Sequence, residues 1–226
     1  MFLFGHVGLT WGGALAVATL SDRFLPSATH RLGAASRAPP TVGRLSSAID
    51  YRLVIVGSML PDLIDKPLGV YIMRDELSNG RIFAHSLLFV LLLLLVAFAW
   101  RGSVGSALAL LALGSLAHLA MDRLWTDLDT LLWPLLGWRF ERVDVSGWSG
   151  QMLEQLFSDP YTYVSEAAGA AVVVALLASL IRARGLRDFV LNGRMGPSGA
   201  GRPKGRLAAG QECAQQVQGG QRPAER

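Results

Sequence analysis

Three histidines and three aspartates lie at the ends of strongly apolar segments of the chain. They are His6, Asp62, Asp65, His85, His118 and Asp122. An ionisable side chain in hydrocarbon is costly, so each of them needs a specific reason to be there. Neutral imidazoles and carboxylates are the ligands of zinc, manganese and iron. The six residues therefore predict a site for one or two divalent metal ions, with zinc the first expectation. A site with two ions generates hydroxide near neutral pH and stabilises both oxygens of a displacement.

The spacing within two pairs suits ligands that share a helix. His118 and Asp122 are four residues apart, which places both side chains on one helical face. Asp62 and Asp65 are three apart, and two acids that close repel each other unless a cation or a proton lies between them. Each pair also fits an alternative without metal. The first could be a buried hydrogen-bonded pair, and the second a solvated helix end at which Lys66 neutralises Asp65.

The two remaining histidines are weaker candidates when each is taken alone. His85 begins the most hydrophobic run of the chain. A histidine in such a place usually forms a hydrogen bond with a neighbouring carbonyl or carboxylate and binds no metal. His6, near the N-terminus, could simply contact lipid headgroups. The joint pattern is what favours a metal site. A Ser-His nucleophile is disfavoured, because Ser86 adjoins His85 and adjacent residues on a helix do not face each other.

Two arginines stand beside the candidate ligands. Arg81 is one turn before His85, and Arg123 directly follows Asp122. The planar guanidinium fork suits a phosphate oxygen, so we take Arg81 as a catalytic candidate that would steady a substrate anion. Asp65 is the second catalytic candidate. The alternative is that the arginines anchor helix ends at the headgroup layer, which we favour for Arg123.

Composition indicates an integral membrane protein. The 226 residues are 51% hydrophobic and 17% charged, with a mean hydropathy of +0.37, which is a membrane balance. A spanning helix needs roughly 20 mainly apolar residues. We predict an all-α, polytopic membrane helical bundle of about five spans, at residues 2–20, 53–73, 82–100, 104–121 and 161–181. Residues 125–138 are too polar at one end to span, and we expect a re-entrant or interfacial segment there.

The prolines of the second span and the distribution of charge refine this prediction. Pro61 and Pro67 bracket the two aspartates of that span, and we expect the helix to break there. An outward N-terminus puts most of the 21 Lys and Arg residues on the cytoplasmic side, as the positive-inside rule requires. All six candidate ligands then lie at one depth near the outer face. That topology places His30 in a cytoplasmic loop, away from the site.

These patterns predict two regions of the chain and the partners of the protein. Residues 1–185 form the predicted membrane domain, and residues 186–226 a basic, disordered cytoplasmic tail poor in aromatics. The basic residues do not form a patch interleaved with exposed aromatics, so we expect no nucleic-acid partner. The expected partners are membrane lipid and a small-molecule or lipid-like substrate.

Four motifs resemble those of the YdjM-like family of membrane-bound, predicted metal-dependent hydrolases. They are an N-terminal His before small residues (GHVGLTWGG), a Pro-Asp-x-x-Asp motif (PDLIDK), an Arg four residues before His-Ser (RIFAHS) and a Gly-x-x-x-His-x-x-x-Asp helix (GSLAHLAMD). The resemblance covers about residues 1–140. The chain departs from the family at Ile82 and Ala84, where Gly and Thr are common. The resemblance implies a metal-binding set of the same six residues.

These observations lead to one hypothesis and two rivals. The hypothesis is an inner-membrane, metal-dependent hydrolase that acts on an ester or phosphoester of a lipid or envelope component at the outer face. The first rival is a non-catalytic membrane protein, such as a metal or proton carrier with the same ligands. The second is a structural protein whose buried polar groups satisfy one another.

Overall fold

A computed structural model describes residues 1–24 and 45–195. The predicted loop with His30 and the part of the predicted tail from residue 196 onward lie outside the described residues. Within the described ranges the chain is helical and has no strand. This confirms the all-α fold class.

Eight α-helices follow one another along the described residues. They are α1 (Leu3–Phe24), α2 (Tyr51–Lys66), α3 (Leu87–Ala99), α4 (Ser103–Met121), α5 (Leu128–Leu131), α6 (Trp148–Ser158), α7 (Pro160–Arg182) and α8 (Leu186–Asn192). A π-helical turn, Pro67–Ile72, continues α2, and a 3-10 turn, Leu124–Thr126, follows α4.

Among the described helices, three are long and apolar enough to cross a membrane, so the expectation of about five spans is not confirmed. They are α1, α4 and α7. The apolar α3 has only 13 residues, about 20 Å at 1.5 Å per residue, which is short of a hydrocarbon core of roughly 30 Å. The 16 residues of α2 fall short for the same reason.

The late start of α3 has a tertiary cause. The Asp65 carboxylate accepts hydrogen bonds from the backbone N–H groups of Ile82, Ala84 and His85 at 2.9 to 3.0 Å. These bonds hold residues 82–85 in a turn, and Ser86 then caps α3 by accepting from the Phe89 N–H. The helix therefore begins five residues later than the apolar pattern predicts.

The second predicted helix does not break at Pro61, which lies inside α2. A proline there removes the hydrogen bond to the carbonyl of Gly57, four residues earlier. The Ser115 hydroxyl of α4 donates to that carbonyl at 3.1 Å instead. Such replacement by a neighbouring helix is how membrane proteins tolerate a helical proline. The change of helix type comes only at Pro67.

Close packing between α2 and α4 brings the ligands of the two helices together. Small residues allow helix backbones in membranes to approach closely. A Cβ on Gly114 of α4 would lie 2.5 Å from the Val54 carbonyl oxygen of α2, so no larger residue fits. The other main packing partners are α1 with α7, α3 with α4, and α1 with α2.

The helical body extends beyond residue 185, where the tail was predicted to begin. Helix α8 packs back on α1 through the rings of Phe189 and Trp11, whose centroids are 5.0 Å apart. Arg52 donates to the Val190 carbonyl at 2.7 Å and also binds Asp50, the N-cap of α2. The Arg52 hydrogen bond holds the pKa of Asp50 below its usual range.

Residues 125–138, predicted as a re-entrant or interfacial segment, contain α5 and a series of turns. The Trp133 ring packs against Phe83 and Phe140, with centroids 5.2 and 5.5 Å away. Trp138 is 76% exposed. Trp133 therefore packs against the turn before His85, while Trp138 is largely exposed.

Candidate metal centre

Four separate elements bring all six predicted ligands into one buried cluster. Helix α1 supplies His6 near its start, and α2 supplies both aspartates near its end. The turn before α3 supplies His85, and the end of α4 supplies His118 and Asp122. His6, Asp65, His85 and His118 have no exposed surface. The side chains of Asp62 and Asp122 are 7% and 4% exposed.

The first potential metal-binding group consists of Asp62, His85 and His118. The Nε2 atoms of the two histidines are 3.2 Å apart. Oδ1 of Asp62 lies 3.6 Å from Nε2 of His85 and 3.8 Å from Nε2 of His118. Two nitrogens that bind zinc tetrahedrally at about 2.05 Å lie about 3.3 Å apart. The histidine spacing therefore fits a shared cation.

Hydrogen bonding at the far side of each ring fixes which nitrogen faces the cluster. Nδ1 of His85 lies 2.7 Å from Asp65 Oδ2, and Nδ1 of His118 lies 2.6 Å from the Ser58 carbonyl oxygen. Both oxygens are acceptors, so both Nδ1 atoms carry hydrogen. The two Nε2 atoms of the neutral rings then present lone pairs to each other. Such an arrangement is stable only with a proton or a metal ion between them.

The second group consists of His6, His118 and Asp122. The His6 ring stacks on His118 with centroids 3.9 Å apart, and its Nε2 lies 3.1 Å from Asp122 Oδ1. That contact does not meet the geometry of a hydrogen bond, and neither ring nitrogen of His6 has a hydrogen-bond partner in the described chain. A fully buried imidazole without a hydrogen bond to the protein is available to bind a ligand.

His118 limits how the two groups could be filled. Its Nε2 belongs to the first group and lies 3.9 Å from Asp122 Oδ2 in the second, as the spacing of four predicts. An imidazole nitrogen has one lone pair and can bind one ion. A second ion would therefore have only His6 and Asp122 of this group as protein ligands.

Asp65 lies in the cluster but outside both groups. Its two oxygens together accept three backbone N–H bonds and the Nδ1–H of His85. The sequence predicts that Asp65 is a ligand and a catalytic residue. Its contacts instead match those of a carboxylate that orients a metal-binding histidine.

Two basic side chains neutralise the aspartates of the cluster. Lys66 Nζ lies 2.7 Å from Asp62 Oδ2, and Arg81 Nη2 lies 2.9 Å from Asp122 Oδ2. The Met1 amino group also contacts Asp122, at 2.9 Å. Arg123 does not join the cluster, because its guanidinium lies over the Tyr161 ring, 5.1 Å from the centroid.

A cavity of about 230 Å³ adjoins the cluster. Asp62, Lys66, Arg81 and Asp122 line it, together with residues of α6. The cluster is thus next to a space that a small ligand could enter. The side chain of Arg81 is 41% exposed, so its guanidinium can contact such a ligand.

Glu166 of α7 supports the site in a way the sequence analysis did not identify. Its carboxylate accepts the backbone N–H groups of Phe2, Phe4 and Gly5 at 2.6 to 3.0 Å. These are unpaired donors at the start of α1, and His6 follows them directly. An acid inside an apolar span requires a partner. The position of Glu166 in the predicted span was therefore the sequence signal that could have identified it.

Comparison with known proteins gives a family but no individual relative. No curated protein and no solved structure matches the chain. The family model described as YdjM inner membrane protein matches residues 1–187, which include every residue of the cluster. That match and the three apolar helices indicate a membrane protein, and the resemblance inferred from the four motifs is confirmed. The chain belongs to the YdjM inner membrane protein family.

Proposed function

We propose that this protein is a metal-dependent hydrolase that acts on an ester or phosphoester of an amphiphilic, membrane-derived substrate. One observation carries the proposal: the Nε2 atoms of two buried imidazoles face each other across 3.2 Å, beside Asp62 and next to a cavity. His85, His118 and Asp62 would hold the first ion, and His6 and Asp122 would contribute to a second. Zinc is our first expectation, with manganese or iron as alternatives.

The chemistry that such an ion supplies when bound is activation of a water molecule near neutral pH. The protein's own residues do the rest. Asp65 and the Ser58 carbonyl hold the Nδ1 protons of His85 and His118, which keeps both Nε2 atoms directed at the site. Arg81 faces the cavity and can bind a substrate anion through its guanidinium fork.

The position of the cluster within the bundle favours an enzyme over a carrier. His6 lies near the start of α1, whereas Asp62 and His118 lie near the ends of α2 and α4. The ligands therefore meet at one end of these helices. A carrier exposes its ligands alternately to both sides of the membrane. We further propose that this end faces outward in the inner membrane, with the C-terminal tail in the cytoplasm, because the basic residues segregate accordingly.

Elemental analysis of the detergent-purified protein tests the metal site directly. We expect bound zinc, manganese or iron in the wild type and a large loss in His85→Ala and in Asp62→Ala. His30→Ala, the fourth histidine of the chain, is the matched control and should bind metal as the wild type does. Wild-type metal content in both cluster variants would overturn the proposal.

A hydrolysis assay tests the enzyme itself. The purified protein is incubated with 4-nitrophenyl acetate, 4-nitrophenyl phosphate and vesicles containing phosphatidic acid, and the released product is measured. We expect turnover of at least one of these probes, lost in His85→Ala and weakened in Arg81→Ala. Metal that binds stoichiometrically without turnover of any probe would contradict the hydrolase and favour the carrier.

A further inference from the structure

Helix α6 has two opposite faces of unusual character. At 100° per residue, Trp148, Gln151, Met152 and Gln155 share one face, and all four line the cavity beside the cluster. Leu153 and Phe157 lie on the opposite face, 62% and 75% exposed. None of the 11 residues of α6 is buried. The helix thus turns amide groups inward and large apolar side chains outward.

The inner face of α6 contacts the site through Trp148. A Cβ on Gly80, next to Arg81, would lie 2.9 Å from the Trp148 ring. The segment before α6 is also fixed, because the Val143 N–H donates to the Ser78 carbonyl at 2.8 Å and the Ser78 hydroxyl donates to the Val143 carbonyl. The outward direction of Leu153 and Phe157 is therefore set by packing at the cavity.

The connection to α7 determines what surrounds the outer face. Helix α6 ends at Ser158 and α7, a candidate span, begins at Pro160. The end of a helix that is joined to a span through one residue lies at the membrane boundary. Its single charged residue is Glu154, which on the helical wheel lies beside the outer face, not at its centre. An apolar face with no charge at its centre suits the boundary between headgroups and acyl chains.

We propose that α6 is an interfacial helix that forms a wall between the bilayer and the metal cavity, so that the cavity receives the polar headgroup of a membrane lipid. Leu153 and Phe157 lie among the lipid chains. The inner face presents Gln151 and Gln155 to the headgroup. The interfacial location of α6 does not depend on the proposed function, whereas the assignment of a lipid headgroup as the substrate rests on it.

The size of the cavity supports a headgroup as its ligand. Its volume of about 230 Å³ is below the roughly 300–1,000 Å³ of pockets that hold drug-sized ligands. This space holds a phosphate with a small substituent. In this proposal the acyl chain stays in the bilayer, alongside the apolar face of α6.

Site-directed spin labelling tests the location of α6 without reference to metal or turnover. Single cysteines are placed by Leu153→Cys, Phe157→Cys and Gln155→Cys in the full chain carrying Cys213→Ser. Val174→Cys of α7, at a position 66% exposed in a candidate span, is the lipid reference, and Glu141→Cys in an exposed loop is the water reference. Nanodiscs of phosphatidylcholine and phosphatidylglycerol provide the membrane.

Collision of each label with oxygen and with a water-soluble nickel chelate reports its surroundings. We expect the labels at 153 and 157 to be accessible to oxygen and protected from nickel, as at 174. The label at 155 should lie at an intermediate depth, between those at 157 and 141. Nickel accessibility at 153 and 157 equal to that at 141 would place α6 in water and overturn the proposal. Protection from both reagents would show a protein partner or a second copy on this face, which also overturns it.

Discussion

Asp65→Asn is the substitution that best separates orientation of a ligand from metal binding itself. The Asp65 carboxylate accepts four N–H groups, three from the backbone and one from His85 Nδ1. An asparagine keeps one carbonyl oxygen and directs an NH₂ group at the remaining donors. At least one buried donor then faces another donor, which costs about 1–3 kcal/mol.

The expected effect on metal affinity follows from the same contacts. Loss of a carboxylate behind a metal-binding histidine weakens binding by roughly 10- to 100-fold, or about 1.4–2.7 kcal/mol. We expect Asp65→Asn to bind metal in the same molar ratio as the wild type but with an affinity lower by this factor. Competition with a chromophoric chelator measures the affinity, and a thermal melt in detergent confirms that the variant is folded.

Two further variants make the result decisive. Asp62→Asn removes a proposed ligand and should lower the amount of metal bound, beyond an effect on affinity. Asp75→Asn changes an exposed aspartate and should change neither quantity. Wild-type affinity in folded Asp65→Asn would refute the orienting role. A lower molar ratio of metal, as in Asp62→Asn, would show that Asp65 is a ligand after all.

Three other substitutions test how the scaffold positions the cluster. Glu166→Gln should increase hydrogen exchange at the start of α1, because one charged acceptor for the N–H groups there is lost. Gly114→Leu should abolish recovery of folded protein, because a side chain cannot fit against α2, whereas Gly13→Leu, with open space around it, should be recovered normally. Ser115→Ala should lower the free energy of unfolding by about 0.6–2 kcal/mol, since the carbonyl freed by the helical proline loses its donor. That loss should shrink in a Pro61→Ala background, where the backbone N–H is restored. Wild-type hydrogen exchange, equal recovery of the two glycine variants, or an equal loss in both backgrounds would contradict the respective explanation.

The long apolar helices could be predicted from the sequence because their signal is local. The runs of α1, α4 and α7 satisfy the length that a bilayer demands. The start of α3 could not be predicted in this way. Hydropathy continues back to residue 82, but Asp65 removes three backbone donors from the helix by contacts 17 to 20 residues away in sequence. Length and hydropathy carry no information about such a contact.

The proximity of the candidate ligands could also be inferred from the sequence. Which of them face the metal position and which orient another ligand could not. Six ionisable residues in apolar surroundings needed common partners, and the structure places all six in one cluster. Asp62 and Asp65 share the residue type, the helix and nearly the same face. Only the tertiary contacts show that one is directed toward the imidazole Nε2 atoms and the other toward Nδ1 of His85. Metal binding by the six residues remains a prediction.

X-ray absorption spectroscopy of the metal-loaded protein tests the central claim most directly, because it reports the atoms bound to the ion. If zinc is the ion, we predict at least two imidazole nitrogens at about 2.0–2.1 Å together with a carboxylate oxygen, and one imidazole fewer in His85→Ala. A spectrum without imidazole scattering, or one that His85→Ala leaves unchanged, would contradict the proposal that His85 and His118 share one cation.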